Sequence, residues 1–164
     1  MRILDLSSEH SVHATACLSR VCLFAWLDAE KLAFLVERAE LDMFEEGEVL
    51  SETGSPGMSL TVIGQGVVDV IRPEVQRVVA RLFAGDFFGE MCLIQPKSRV
   101  ATCRAETPVQ AFTIHQRTFE EFAGLYPDQH GVLISNVARY YSKALREVNH
   151  RVTTTPQTIS GEAA

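Results

Sequence analysis

Glu90 and Arg99 stand nine residues apart in one largely apolar segment, Gly85-Asp86-Phe87-Phe88-Gly89-Glu90-Met91-Cys92-Leu93-Ile94-Gln95-Pro96-Lys97-Ser98-Arg99-Val100-Ala101-Thr102. Arginine suits a bidentate grip on phosphate oxygens, because its guanidinium is planar and permanently charged. A loop or helical turn that opens on glycine, as at Gly85 and Gly89, presents backbone N–H groups as a nest for an anion. A carboxylate only accepts hydrogen bonds, so Glu90 beside such a nest repels phosphate but holds a hydroxyl. Phosphate and hydroxyl recognition together point to a nucleotide or a sugar phosphate. Taken alone, the same two side chains equally fit a surface ion pair worth about 0–1 kcal/mol. The elements around them decide between the two.

The segment lies between two predicted strands. After Leu41, short apolar runs alternate with glycine breaks at Gly47, Gly54, Gly57, Gly64, Gly66, Gly85 and Gly89. Val49-Leu50, Leu60 to Ile63, Val67 to Ile71, Val78 to Phe83, Ala101 to Ala105 and Val109 to Ile114 read as strands of an all-β sandwich or barrel. Ser55-Pro56-Gly57 and Gly64-Gln65-Gly66 read as tight turns in which glycine supplies a positive φ. Helices flank this region. From Asp28, a predicted N-cap, Leu32, Leu35, Val36 and Ala39 recur at i, i+3, i+4 and i+7. Thr118 with Glu121 predicts a capping box for a short helix carrying Phe119 and Phe122, which stops before Pro127. A longer helix follows to about Asn149, with Leu133, Val137, Tyr140, Tyr141, Ala144 and Val148 on one side.

At 164 residues the chain has room for one core, and a domain of this size buries roughly 70% of its unfolded surface without a disulfide or metal staple. A formal charge of −6 makes direct nucleic-acid binding a poor expectation. The longest apolar run, Val21 to Leu27, is far below the ~20 residues that span a bilayer, so no membrane span is expected. Asp5, Glu9 and Arg20 interrupt any secretory signal core. Cys17, Cys22, Cys92 and Cys103 form no CxxC pair and have no histidine at zinc spacing, as expected of reduced thiols in a cytoplasmic protein. A cupin-type metalloenzyme would need clustered histidines, but only His115 adjoins a predicted strand, and no nucleophile–base pairing is evident; neither enzyme activity, metal nor cofactor is expected.

Phe88-Gly89-Glu90, with Arg99 nine positions after the glutamate and Ala101-Thr102 opening a strand, resembles the phosphate-binding cassette of cyclic nucleotide-binding domains. Further likeness lies in Leu23-Phe24 with Asp28, in Phe44-Glu45-Glu46-Gly47-Glu48-Val49-Leu50, and in Gly54, Gly57, Val62-Ile63, Gly66-Val67-Val68-Asp69-Val70 and Gly85-Asp86. It covers about Leu18 to Asn149. The resemblance implies a mainly β fold with flanking helices: an eight-stranded jelly-roll barrel, an N-terminal helical segment and a C-terminal lid helix. The expected organisation is an N-terminal arm at 1–17, a cyclic nucleotide-binding domain at 18–150 and a disordered tail at 151–164. Within the domain, 18–41 is helical, 42–115 the jelly roll and 118–150 the C-terminal helices.

The resemblance also implies a non-catalytic sensor of cAMP or cGMP. Arg99 pairs with the cyclic phosphate, Glu90 accepts the ribose 2′-hydroxyl, and backbone N–H groups of Gly89, Cys92 and Ala101 surround phosphate and sugar. Met91 and Val100 complete the cassette's contacts, and Val70 and Ala80 lie near the purine. Tyr140 is the candidate to stack on the purine, with Arg146 second, although Tyr140 and Tyr141 equally fit core or dimer-seam positions. Val100 stands where guanine-selective members tend to carry a hydroxyl, which favours cAMP. Cys92 replaces a usual small residue; its thiol is either activated by the nest or buried and inert. A homodimer through the last helix and an unidentified effector protein are the expected partners. The chain ends fifteen residues after Asn149, too few for a helix-turn-helix unit, so a stand-alone sensor or a domain cut from a larger protein is expected. The alternative is a binding-incompetent relative, its pocket empty or plugged by the arm around Glu9 to His13, acting in dimerisation or protein interaction.

Overall fold

Leu60 and Val62, and Phe112 and Ile114, are fully buried at every second position, the spacing that sets alternate side chains on one face of a sheet. The structure, a computed structural model, describes residues 8–154. Among these, the strands are β1 (Glu40–Phe44), β2 (Val49–Ser51), β3 (Ser59–Gln65), β4 (Val68–Arg72), β5 (Arg77–Leu82), β6 (Phe87–Phe88), β7 (Thr102–Ala105) and β8 (Val109–His115). They form two four-stranded antiparallel sheets, ordered β1-β8-β3-β6 and β2-β7-β4-β5. Leu60 pairs with Ile114 and Val62 with Phe112, so the four buried side chains form one apolar face.

β1 and β6 lie outside the six apolar runs. β1 carries Asp42, whose carboxylate accepts from the Thr113 hydroxyl at 2.8 Å, and this polar residue breaks its apolar signal. β6 is two residues long and pairs only through Thr61–Phe88 and Val62–Phe87. In the second sheet, Asp69 is buried but pairs with Arg81 directly across the ladder, Nε to Oδ1 at 2.9 Å.

Four α-helices complete the described residues: α1 (Ser8–Leu18), α2 (Ala29–Val36), α3 (Gln116–Leu125) and α4 (Pro127–Thr154). α1 occupies part of the expected arm. Its Ala14 and Leu18 are buried in the main core, which explains why this stretch is ordered as a helix rather than an arm. That core joins the apolar face of the first sheet to Leu23, Leu35, Phe122, Leu133 and Val137. A smaller cluster of Ile63, Val68, Cys103, Ala105, Val109 and Ala111 lies between the sheets. α4 extends through Thr154 with Arg151 in its last turn, where a cation favours the helix C-terminus, so 151–154 are helical. Residues 1–7 of the arm and 155–164 of the tail lie outside the described residues.

Two caps differ from expectation. The Asp28 carbonyl accepts from Lys31 and Leu32, both at 2.9 Å, but its side chain makes no cap bond. The Thr118–Glu121 capping box does not form, because α3 starts two residues earlier and Thr118 is buried inside it.

Asn136 of α4, 4% exposed, donates through Nδ2 to the carbonyls of Leu23 at 3.0 Å and Ala25 at 2.6 Å. Gln129 of α4 accepts the Asp28 amide at 2.9 Å. These bonds staple the loop between α1 and α2 to α4. Asn136→Ala leaves two carbonyls without their donor, and chemical denaturation is expected to show a loss of about 2–3 kcal/mol.

Candidate functional site

Gly89 follows β6 with φ +86°, and a Cβ there would sit 2.1 Å from Arg99 Nη1 and 2.4 Å from the Ser59 carbonyl oxygen. The position therefore needs glycine for conformation and for space. The left-handed residue turns the chain into a 3₁₀ turn, Glu90–Leu93, anchored by buried Cys92 and Leu93. The Cys92 amide, expected to face phosphate, donates instead to the Gly89 carbonyl at 3.1 Å within the turn.

Arg99 is held by main chain and side chain together. The Gly57 amide donates to Lys97 O at 3.0 Å, the Arg99 amide to Ser55 O at 2.8 Å, and the Gly54 amide to Arg99 O at 2.8 Å. Gly57 has no positive φ, contrary to expectation; it is glycine because a Cβ would lie 2.2 Å from Lys97 O. The Arg99 guanidinium donates through Nη2 to Ser59 O at 2.8 Å and Ser59 Oγ at 3.0 Å, and its carbon lies 5.7 Å from the centre of the Phe88 ring.

A cavity of about 520 Å³ opens between this segment and the second sheet. Gly89, Glu90, Met91, Cys92, Arg99, Val100, Ala101, Val70 and Tyr140 all line it. Ala80 does not. It pairs with Val70 in the ladder, and Leu82 and Arg72 contribute to the wall. Arg72 and Lys97 add to the positive charge of Arg99, with Glu90 opposing, so this is a locally positive site in a chain of net charge −6. Residues 11–17 of α1 do not line the cavity.

Two adjacent tyrosines of α4 reach the site differently. Tyr140 lines the cavity with its ring 5.0 Å from Phe87. Tyr141 packs against the main core, and its hydroxyl donates to Glu90 Oε1. Burial first, and then the Glu90 carboxylate, push the Tyr141 hydroxyl well above its ordinary pKa, so it stays a donor. Tyr141 is not among the site residues expected from the sequence, where its signal is adjacency to Tyr140. Arg146 lies outside the cavity and donates to Ser142 Oγ at 3.0 Å.

A second cavity of about 490 Å³ lies between the Cys22–Phe24 turn and α4. Trp26, Arg139 and Lys143 line it, and Tyr140 borders both cavities. Trp26 is 80% exposed and held at φ +69°. Among the described residues, no three His, Cys, Asp or Glu side chains come together as a metal site, and no helix is long and apolar enough to cross a membrane.

Burial pushes the Cys92 thiol up to about 12 and Cys103 up to about 11, with Arg99 opposing both. Cys92 is thus the buried, inert thiol of the two alternatives. Thiol labelling of the native protein at neutral pH should modify exposed Cys22 and reach Cys92 and Cys103 only on unfolding. Gly89→Ala is expected to destabilise by about 2–4 kcal/mol, read from denaturant midpoints, and to displace the guanidinium in a crystal structure of the variant.

The family model described as "Cyclic nucleotide-binding domain" matches residues 41–125. The cAMP-dependent protein kinase regulatory subunit of Emericella nidulans is 28% identical over 122 residues, 74% of this chain and 30% of that protein. The chain spans less than a third of the length of the curated relatives it matches first. Among solved structures, the N-terminal domain of a transcriptional regulator from Streptomyces coelicolor A3(2) superposes with a TM-score of 0.71 at 29% identity, covering 78% of this chain and 94% of that one. A cyclic nucleotide-binding domain from Methylobacillus flagellatus gives 0.77 at 21% identity, covering 96% and 92%, and shows the fold. With the cassette's glycine, glutamate and arginine gathered on one cavity, the chain belongs to the cyclic nucleotide-binding domain family.

Proposed function

We propose that the protein is a non-catalytic regulatory module that binds a purine 3′,5′-cyclic nucleotide, cAMP in preference to cGMP, in the cavity between the cassette and the second sheet. The observation that carries this reading is that Glu90 and Arg99 line one cavity, with the guanidinium fixed by Ser59 and by the space that Gly89 leaves open. Arg99 takes the cyclic phosphate, Glu90 the ribose 2′-hydroxyl, and the amides around Gly89 and Ala101 the remaining oxygens. Met91, Val70 and Leu82 offer apolar contact to the base, and Tyr140 stacks at its edge. Val100 offers no hydroxyl to a guanine amino group, which supports cAMP, as does the name of the kinase regulatory relative.

In this reading the two sheets close as a jelly roll and α4 is the element that ligand moves. A ligand shifts such an equilibrium only by its differential affinity for the two positions. Output passes through a partner in the cytoplasm: an effector protein, or a second copy paired along α4. Leu145, Val148 and Val152 are exposed at spacings of three and four, as a helix-pair seam requires.

cAMP at 100 times its Kd is expected to stabilise the protein by about 2.7 kcal/mol, raising the melting temperature. Arg99→Ala should weaken cAMP binding about 100-fold or more in calorimetry, since it removes charge-assisted bonds to phosphate. Unchanged affinity in a folded variant removes the phosphate assignment. Failure of both nucleotides at millimolar concentration to raise the melting temperature favours the binding-incompetent alternative.

A further inference from the structure

Trp26 is 80% exposed and held at φ +69°, a left-handed backbone that bulky residues avoid. Its indole packs into neither apolar cluster, so burial does not offset the strain. The loop is nevertheless pinned on both sides of Trp26. Asn136 donates to the Leu23 and Ala25 carbonyls, and Gln129 accepts the Asp28 amide. Strained positions that their surroundings hold in place gather at functional sites.

The cavity of about 490 Å³ beside this loop has an unusual wall. Tyr140, Lys143 and Glu147 of α4 line it at steps of three and four, with Arg139 next to Tyr140. Among the described residues neither Arg139 nor Lys143 forms an ion pair, and Glu147 is the one carboxylate of the wall. Two unneutralised cations beside an indole and a phenol are a local reversal in a chain of net charge −6. Tryptophan, tyrosine and arginine are also the side chains that carry most of the energy of protein interfaces.

We propose that this cavity is the docking site for an acidic segment of a partner protein, which lays an aromatic or large apolar side chain on Trp26 and carboxylates on Arg139 and Lys143. The proposal deepens, and rests on, the reading that a separate effector takes the output; binding of the segment itself needs no nucleotide. Charge complementarity selects an acidic occupant. A small-molecule pocket encloses most of its ligand, whereas the largest side chain of this wall stands mostly in water, which suits a peptide chain laid across it. A second copy paired along Leu145, Val148 and Val152 meets another side of α4. At roughly 100° per residue, the mean direction of those three lies about 170° from that of Arg139 and Lys143. Tyr140 is a wall of both cavities, so the docked segment touches a residue that also borders the nucleotide site.

The test is calorimetric titration of the full chain, without nucleotide and at low salt, with a short capped peptide of one phenylalanine between pairs of glutamates. Saturable binding is expected, at least tenfold tighter than that of the same peptide with lysines for glutamates, and weakened by added salt. Replacing the peptide's phenylalanine by alanine, or Trp26→Ala in the protein, should each weaken it about tenfold. Arg139→Glu with Lys143→Glu should abolish it, and Glu147→Gln should tighten it, with melting temperatures checking that the variants fold. Equal affinity for the acidic and basic peptides, no saturable binding of the acidic one, or binding untouched by the charge reversal overturns the proposal. Self-association of the native chain in sedimentation that the charge reversal removes makes a second copy the occupant and overturns it also. The nucleotide reading is tested separately by cAMP titration and stands or falls without these results.

Discussion

The site depends on a guanidinium seated in a space that one missing methyl leaves open. Arg99 reaches over Gly89 to the Ser59 carbonyl and hydroxyl, and each partner belongs to a different stretch of chain: the cassette loop, the 3₁₀ turn and β3. Losing the main-chain bonds to the 54–57 turn would unseat the guanidinium, and filling Gly89 would expel it. A permanent charge held this way costs little further ordering when an anion arrives, because its rotamer is already chosen. Preorganisation of this kind needs rigid support, and the ladder of β3 with β8 supplies it from the most buried part of the molecule.

α4 plays a different part. Its first half is bound to the core through Leu133 and Val137 and to the α1–α2 loop through Asn136 and Gln129. Its middle reaches the cassette through Tyr140 and Tyr141. Its last turns carry Leu145, Val148 and Val152 into solvent. One helix thus fastens the loop between the N-terminal helices, borders the cavity and presents an exposed apolar edge, in that order along its length.

Much of this was legible in the residues. Glycine-punctuated apolar runs marked six of the eight strands, and Phe88-Gly89-Glu90 with Arg99 marked a segment that lines the cavity, because tight turns allow few residue types. What escaped had physical reasons. β6 is too short to show a period, and β1 is interrupted by Asp42, which is satisfied only by Thr113 across the ladder. α1 gains its order from burying Ala14 and Leu18 in a core built by distant segments. The capping box at Thr118 had the right letters, but α3 begins two residues earlier and takes Thr118 into the interior. Ala80 pairs with Val70 in the ladder but does not line the cavity. Tyr141 could not be separated from Tyr140 by spacing, since adjacent helical residues diverge by roughly 100° and only packing shows which of them meets Glu90.

The chain's one tryptophan rides on the loop that Asn136 binds to α4. Its indole stands mostly in water, beside the cations of Arg139 and Lys143 and the ring of Tyr140. Any displacement of α4 relative to the sheets therefore carries Trp26 with it. Indole emission responds to neighbouring charge and hydration, and those neighbours belong to α4, so the single tryptophan gauges whether the loop stays fastened to the helix.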